Sequence, residues 1–501
     1  MHSLISASLF VSASGILSLI AGFLSSVVVA RMLGAEGTGL TALALWVAIT
    51  GAIVAGRGIP AVILRYISRQ KDTAEARNGL VRIYYLKYMW PVFLVSSLFL
   101  LYGIYVHATD DPNSAFVWII AGVTCIAYAQ GHFVIAAEHG LGQFPKAAKK
   151  TALGSLLQIP ITLTGAFLFG PAGAMLGYLA RHLPQAFGLK QFRNPVRTQD
   201  AEISDQMVRY GNSNWISIIL DSLIKTRVEL VFIGLFFSVV DVGYFAAAVT
   251  FSSLILQLSF YMAAGLTPGF GKLFDDNATE QLKISYDRSL RWLSLLLLPV
   301  SLGGAAVMPE LIPFAFGYDF LPAVPIAVIL VFFSLPQALF SVPLAAMLAF
   351  ENDRRLLFMN SFAAGGLITL NLIFTPMFGG IGAAVIRGVI GVAIFAWLAV
   401  YCYRRLGLAI DLSAQVRILI SGMACAATAY AILLQQGGLA GLAIAIPVAG
   451  VVYVFFLRLT KSIPEADLKI VRDTFDRHVP NRFKPILRPA LSVLGATGTS
   501  S

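Results

Sequence analysis

Charge is scarce in this chain. Asp, Glu, Lys and Arg make up 12% of its 501 residues, about half the share found in an ordinary soluble domain. Cysteine is scarcer still. Cys125, Cys402 and Cys425 all lie within apolar runs and none forms a CxxC pair, so neither a metal site nor a disulfide framework is suggested. They read as small buried apolar residues. The signatures of nucleotide chemistry are missing too. There is no GxxxxGK[ST] phosphate loop and no DxD-type pair on a loop, and the polar connections are too short to house a nucleotide-binding domain. No catalytic constellation is visible, so an enzyme is not expected, and no cofactor or metal is implied. The first apolar run starts almost at Met1, lacks a basic leader and ends at Arg31 rather than at a small-residue cleavage site. It therefore reads as a first span and not as a cleavable signal.

What the chain does have is apolar length. Hydrophobic residues make up 58% of it, and they fall in runs that meet the ~20 residues needed to cross a bilayer. Leu9 to Ala30, Pro91 to Val106, Phe116 to Ala137, Ser289 to Met308 and Gly438 to Leu457 are clear cases. About 14 such runs are present by that ruler. The expected spans are 5–30, 39–64, 84–107, 115–137, 151–170, 172–192, 210–238, 241–268, 289–309, 322–350, 356–376, 380–403, 415–434 and 438–458. The fold class is an all-α polytopic membrane protein.

The net charge of +11 does not call for nucleic acid, because the cations map onto alternate connections. One set holds Arg65, Arg69, Lys71, Arg77 and Arg82; then Lys146, Lys149 and Lys150; then Arg181, Lys190, Arg193, Arg197 and Arg209. It continues with Lys272, Lys283, Arg288 and Arg291, with Arg354 and Arg355, with Arg404, Arg405 and Arg417, and with Arg458, Lys461 and Lys469. The other set holds Arg31 and otherwise only acids, among them Asp110, Asp111, Asp241, Glu310 and Asp319. This is the positive-inside pattern. It predicts two cytoplasmic termini and an even number of spans, with the surplus charge meeting anionic membrane lipids.

The chain also repeats itself. Phe169-Gly170-Pro171-Ala172-Gly173-Ala174 is echoed 209 positions on by Phe378-Gly379-Gly380-Ile381-Gly382-Ala383. A weaker echo, at an offset of 204, relates Leu33–Gly39 to Phe237–Gly243. Two echoes at similar offsets and equivalent places point to duplication with both halves inserted alike, related by a pseudo-two-fold along the membrane normal. The expected organisation is a six-helix lobe over 1–192, a cytoplasmic linker over 193–209, a second six-helix lobe over 210–405, two extra helices over 406–460 and a cytoplasmic tail over 461–501.

Several segments resemble a known family. Ala30-Arg31-Met32-Leu33-Gly34 with Gly39 beyond is similar to the R-x-L-G…G junction of bacterial polysaccharide flippases, and so is Gly58-Ile59-Pro60-Ala61 leading to Arg65-Tyr66-Ile67. Asp241-Val242-Gly243-Tyr244-Phe245-Ala246-Ala247 resembles their V-G-Y-x-x-A signature. Asn371 to Pro376, followed by Gly379 and Gly382-Ala383-Ala384, resembles their L-N-x-x-x-x-P…G…G-A-A segment. The ordered set, from about Leu9 to Tyr403, resembles the polysaccharide-transporter branch of the multidrug/oligosaccharidyl-lipid/polysaccharide (MOP) superfamily. That resemblance implies 12 to 14 helices in two lobes around a central cavity. It also implies movement of a polyprenyl-diphosphate-linked oligosaccharide from the inner to the outer leaflet of the bacterial inner membrane. The cargo stays open between an O-antigen, capsule or exopolysaccharide unit and the cell-wall precursor.

Such a cargo is anionic at its head, so ionisable residues within spans are the first candidates. Asp221, Lys225 and Glu229 fall at i, i+4 and i+8, a stripe on one face of the seventh span. Lys225 is the expected phosphate ligand, with Asp221 or Glu229 pairing with it or accepting a coupling ion. The opposing reading is a self-neutralised stripe packed on a neighbouring helix. Arg227 points to another face and reaches either the cavity or a neighbour. Arg57 lies in Gly56-Arg57-Gly58-Ile59-Pro60, where Pro60 should break the span. Arg57 and Arg387 each suit an anionic head group equally with snorkelling to the membrane surface. His132 reads as a structural hydrogen-bonder. Pro299, Pro322, Pro325, Pro336 and Pro343 would permit bends in the ninth and tenth spans.

Two other functions compete. A drug/cation antiporter of the same superfamily would need a cavity dominated by acids, against the cations named here. A membrane glycosyltransferase or O-antigen polymerase would need large outer loops rich in Arg, Asp or His. Energy is expected from an H+ or Na+ gradient or from consumption of the cargo. The expected partners are glycosyltransferases and a polysaccharide polymerase.

Overall fold

The computed structural model describes residues 2–69, 74–109, 112–192, 204–225, 227–263, 265–350, 353–465 and 467–468. The Asp110-Asp111 turn, Lys71, Arg193, Arg197 and Lys469 lie outside them. Among the described residues there is no strand, as lipid requires of a chain whose backbone groups must pair within each segment. Among these residues ten helices are long and apolar enough to cross a membrane. Three of these, of 46, 47 and 52 residues, are too long for one pass, since a helix rises ~1.5 Å per residue and the hydrocarbon core is ~30 Å thick. Each is broken by one glycine with nearly the same backbone: Gly34 (φ 65, ψ −166), Gly170 (φ 58, ψ −139) and Gly379 (φ 57, ψ −144). Only a residue without Cβ adopts that conformation readily. Counting each of these helices twice, and adding one broken helix described below, gives the 14 passes expected.

The chain forms two compact units, each built from two separate stretches of the sequence. Unit 1 takes in residues 1–250 and 357–383. It contains α1 (His2–Ala55), α2 (Ile59–Tyr66), α3 (Ala74–Thr109), α4 (Pro112–Gly140), α5 (Phe144–Ala186), α6 (Asp205–Lys225) and α7 (Glu229–Phe236), and α8 (Val239–Ala263) begins in it. The two arms of α5 fold back on each other at Gly170. Gly165 packs on Gly173 so closely that neither has room for a Cβ, and Gly177 packs on Thr162. Further from the turn, Arg181 Nη1 donates to Gln158 Oε1 at 3.2 Å and Gln185 Nε2 to Thr151 Oγ1 at 3.1 Å. The aromatic core of the unit stacks Tyr88 on Phe133 with ring centres 5.5 Å apart.

The second echo has a structural counterpart in unit 1. The carbonyl of Val239 occupies the space of a Cβ on Gly39, and the carbonyl of Ala35 occupies that of a Cβ on Gly243. Each residue of one contact lies 204 positions from its equivalent in the other. The contact therefore exchanges with itself, as a two-fold interface does. Leu33 packs on Val29, Ala166 and Ala174, so the turns at Gly34, at Gly170 and at Phe237–Ser238 lie on one side of the unit.

Unit 2 takes in residues 251–356 and 384–501. It contains α9 (Leu266–Asp275), α10 (Thr279–Leu298), α11 (Gly304–Phe316), α12 (Ala323–Leu339), α13 (Ser341–Ala349), the second arm of α14 (Asp353–Leu406), α15 (Leu412–Gln435) and α16 (Gly438–Leu459). The proline-rich stretch bends as expected. Pro299 opens a π-helical turn, Pro299–Gly303, between α10 and α11, and α12 gives way to α13 between Pro336 and Pro343.

The C-terminal pair α15–α16 is fastened to this unit at both ends and in the middle. Gly438 N donates to Glu310 Oε2 at 2.9 Å, and Tyr453 OH to the Leu295 carbonyl at 2.7 Å. At the other end Arg288 Nε and Arg291 Nη1 meet the two oxygens of Asp467 at 2.8 and 3.0 Å. Arg291 also pairs with Asp287, which accepts from Asp411 N at 2.9 Å. All three cysteines are buried and free.

Candidate functional site

The break expected at Pro60 is present. Helix α1 ends at Ala55, α2 starts at Ile59, and Arg57 and Gly58 between them have φ of 47° and 69°. For an arginine this left-handed conformation is strained, and such strain gathers at functional sites. Arg57 is exposed. The break is braced by α6. Gly58 sits against the Gly211 carbonyl with no room for a Cβ, and Trp215 Nε1 donates to the Val54 carbonyl at 2.9 Å. Pro60 sits in the first turn of α2, where its missing N–H costs nothing.

The stripe expected on the seventh span is not continuous. Helix α6 ends at Lys225 and α7 begins at Glu229, with Arg227 and Val228 in a turn between them. Asp221 and Lys225 remain one turn apart on α6, whereas Glu229 opens a new helix and is fully buried. A side chain at i+8 keeps its face only while the helix runs on, and this one stops. Arg57 is not beside Lys225 either. Its neighbour Gly211 lies fourteen residues earlier on α6, about 21 Å along the axis at the α-helical rise. Asp221, Arg227 and Glu229 each interact with other groups. Arg387 lies in unit 2, on the second arm of α14, and is only 6% exposed. That burial argues against snorkelling, because a snorkelling arginine carries its guanidinium to water.

Unit 1 also holds a polar group that the pattern of loop charges concealed. Arg181, counted among the loop cations, lies inside α5. It follows the Gly170 turn by eleven residues, about 16 Å along the helix, which is near mid-depth of a ~30 Å core. Its guanidinium is held by Gln158, itself fully buried, and a Cβ on Gly22 of α1 would stand 3.4 Å from Nη1. Tyr178 precedes Arg181 by one turn of α5. His132 lies among other rings. Its ring stacks on Tyr128 with centres 5.8 Å apart, and Tyr128 meets His182 edge-on at 5.2 Å. Glu138, fully buried near the end of α4, pairs with Lys150 of α5. The sequence held one signal for this group: Arg181-His182 follows an uninterrupted apolar stretch only half a span past a glycine turn.

On α2, Arg65 covers the Tyr210 ring at 4.5 Å and Arg69 covers Tyr66 at 5.4 Å. These contacts hold both cations against aromatic faces. Among the described residues no cluster of three or more His, Cys, Asp or Glu is placed to hold a metal ion.

No curated protein is significantly similar to the chain in sequence. Solved structures are similar in fold. Lipid II flippase MurJ, in an inward closed conformation, superposes with a TM-score of 0.74 at 14% identity, over 90% of this chain and 98% of that one. A Vibrio cholerae MATE transporter gives 0.55 at 16% identity, over 81% and 98%. A MOP superfamily transporter from Pyrococcus furiosus gives 0.53 at 15% identity, over 79% and 94%. The family model described as polysaccharide biosynthesis protein matches residues 28–325. Its fold is shared with these transporters, and with more than half of its length inside that match the chain belongs to the polysaccharide biosynthesis protein family.

Proposed function

We propose that this protein is a flippase. It carries a polyprenyl-diphosphate-linked oligosaccharide across the bacterial plasma membrane by alternating access, for assembly of a surface polysaccharide. The observation that carries this reading is the sign of the charge inside the membrane-crossing helices. Arg57, Arg181, Lys225, Arg227 and Arg387 are placed in or between them, and Arg57 and Arg227 occupy helix breaks. Charge at such depth is costly and is kept for function. A cation-rich interior suits a diphosphate and opposes the cationic cargo of a drug antiporter. Asp221 and Glu229 are the candidates for charge pairing or for an H+ or Na+ coupling ion. The orientation proposed from the loop charges puts both termini in the cytoplasm, where glycosyltransferases would deliver the cargo; a polymerase would consume it on the other side.

A second reading, the lipid-linked cell-wall precursor as cargo, is favoured by the C-terminal helices. Residues 1–406 are about four-fifths of the chain, and a likeness covering 90% of it must extend into α15–α16. The likenesses to the Pyrococcus furiosus and Vibrio cholerae transporters cover 79% and 81%.

Proteoliposomes holding a fluorescent polyprenyl-diphosphate oligosaccharide test the proposal by the rate at which the head group becomes accessible on the far leaflet. Transport of a cationic dye without movement of the lipid would overturn it. In the same assay Lys225→Ala is expected to cut translocation at least tenfold while membrane insertion stays normal. Unchanged transport removes Lys225 from the site.

A further inference from the structure

Helix α4 has two exposed faces that differ in kind. One carries Phe116 and Val123, 52% and 44% exposed, and is apolar enough to meet lipid. The other carries His132, which is exposed too. Val123 and His132 are nine residues apart, about 180° around a helix, so the two faces stand back to back. Toward the Pro112 end the His132 face is shut, because Ala121 and Cys125 are fully buried. It opens at Tyr128, half-buried, and then at His132. His132 lies eight residues before Gly140, where α4 ends, about 12 Å along the axis. A histidine turned to hydrocarbon at that depth is costly, and ionisable side chains inside spans face water or protein instead.

The second arm of α5 supplies an adjoining wall. A Cβ on Gly131 would stand 3.0 Å from Gln185 Cβ and 3.4 Å from the His182 carbonyl. Without that Cβ, α4 and α5 approach closely enough for their rings to meet. Tyr128 and His132 lie parallel, with planes 5° apart and centres 5.8 Å apart, and His182 meets Tyr128 edge-on at 88° and 5.2 Å. Gln185 follows His182 by one turn and reaches Thr151 through Nε2 at 3.1 Å.

What this corner can recognise follows from its chemistry. Aromatic faces are electron-rich and attract the C–H bonds of a saturated ring. A neutral imidazole offers one donor and one acceptor, and the tyrosine hydroxyl and the glutamine amide offer more of both. Along this face α4 carries Ala121, Cys125, Tyr128, His132, Ile135 and His139, with no carboxylate and no lysine or arginine. An organic cation finds no counter-charge there, and a diphosphate no fixed cation. A sugar, uncharged, with C–H faces and a rim of hydroxyls, matches both the rings and the neutral polar groups.

We propose that Tyr128, His132, His182 and Gln185 form a glycan subsite within unit 1. One sugar residue of the carried oligosaccharide lies against the exposed His132 ring and exchanges hydrogen bonds with His182 and Gln185. The inference rests on the flippase reading above and adds to it recognition of the sugar apart from the charged head group.

The test uses the full-length protein in nanodiscs and compares two lipids by intrinsic fluorescence. One is undecaprenyl diphosphate; the other is the undecaprenyl-diphosphate-linked oligosaccharide extracted from the bacterium that encodes the protein. Wild type is expected to bind the glycosylated lipid about tenfold more tightly, the worth of one stacked ring and a hydrogen bond or two. His132→Ala and Tyr128→Leu should each abolish that preference and leave the affinity for undecaprenyl diphosphate within about twofold of wild type. Tyr128→Phe, which keeps the ring under His132, should retain it. His132 is exposed, so its truncation leaves no core cavity, and His132→Ala carries the test if Tyr128→Leu fails to fold. A merely structural role would weaken both lipids alike, and that result would overturn the subsite. So would the wild-type preference persisting in His132→Ala, or wild type binding the two lipids equally; either would leave the flippase reading standing. A wild-type protein that binds neither lipid would sink both.

Discussion

At the scale of single residues, glycine does two separable jobs in this chain. At Gly170 and Gly379 it supplies a backbone angle; at Gly39 and Gly243 it supplies proximity. The distinction predicts different costs. Gly243→Ala would drive a methyl into the Ala35 carbonyl, and backbone cannot move aside as a flexible side chain can. Overpacking of this kind costs about 1–3 kcal/mol, so a fall in melting temperature of the detergent-solubilised protein is expected. Gly365→Ala, whose Cβ would meet nothing within 4 Å, should leave the melting temperature unchanged. Equal effects of the two substitutions would refute the close approach. The two phenylalanine–glycine turns were readable beforehand because the angle demands a residue type. The depth of Arg181 was not, because a count of loop cations registers sign and order along the chain and carries no information about distance from a turn.

At the scale of helices, termination decides what faces what. The break after Pro60 announces itself through Gly-Arg-Gly-Ile-Pro. The break between α6 and α7 does not, since Arg227 and Val228 are neither glycine nor proline and nothing local forbids the helix from continuing. Periodicity alone therefore carried the Asp221–Lys225–Glu229 stripe one step too far. Helix α15, by contrast, has a start written in its sequence. Asp411 accepts from the Ser413 hydroxyl at 2.8 Å and from the amides of Ser413 and Ala414 at 3.0 and 3.1 Å. The Ser413 hydroxyl first, then the Ala414 amide, hold the Asp411 carboxyl below its ordinary range against the opposing effect of burial. A carboxyl with a depressed native pKa lends its full stability above the unfolded value of about 3.9 and loses it as pH falls through the lower native value. Asp411→Ala should cost about 1 kcal/mol at neutral pH. The difference from wild type should begin to shrink below about pH 4 and vanish only as pH falls through the lower native value; a difference that persists beyond that would mean the cap acts without its charge.

At the scale of the whole molecule, most of the architecture was legible. The number of passes follows from apolar length, and the second echo marks the reciprocal contact of Gly39 and Gly243 in unit 1. The attachment of the last two helices was not, because it depends on groups far apart in sequence. Asp467, 3% exposed, receives Arg288 and Arg291 from α10. Removing one member of a buried ionic group strands the others, at a cost of about 3–5 kcal/mol. Asp467→Ala is therefore expected to raise hydrogen exchange in the first turns of α15 and the last of α16, while unit 1 exchanges as before. Protection unchanged in both helices would show that the lipid-facing packing of α15–α16 suffices without the clasp.

The reciprocal contact of Gly39 with Val239 and of Gly243 with Ala35 is specified twice, by separate codons of one chain. Between two copies of one molecule, any substitution in such a contact would strike both sides at once. Here each side can change without the other, so the helices that carry the contact are free to lead into unlike polar breaks.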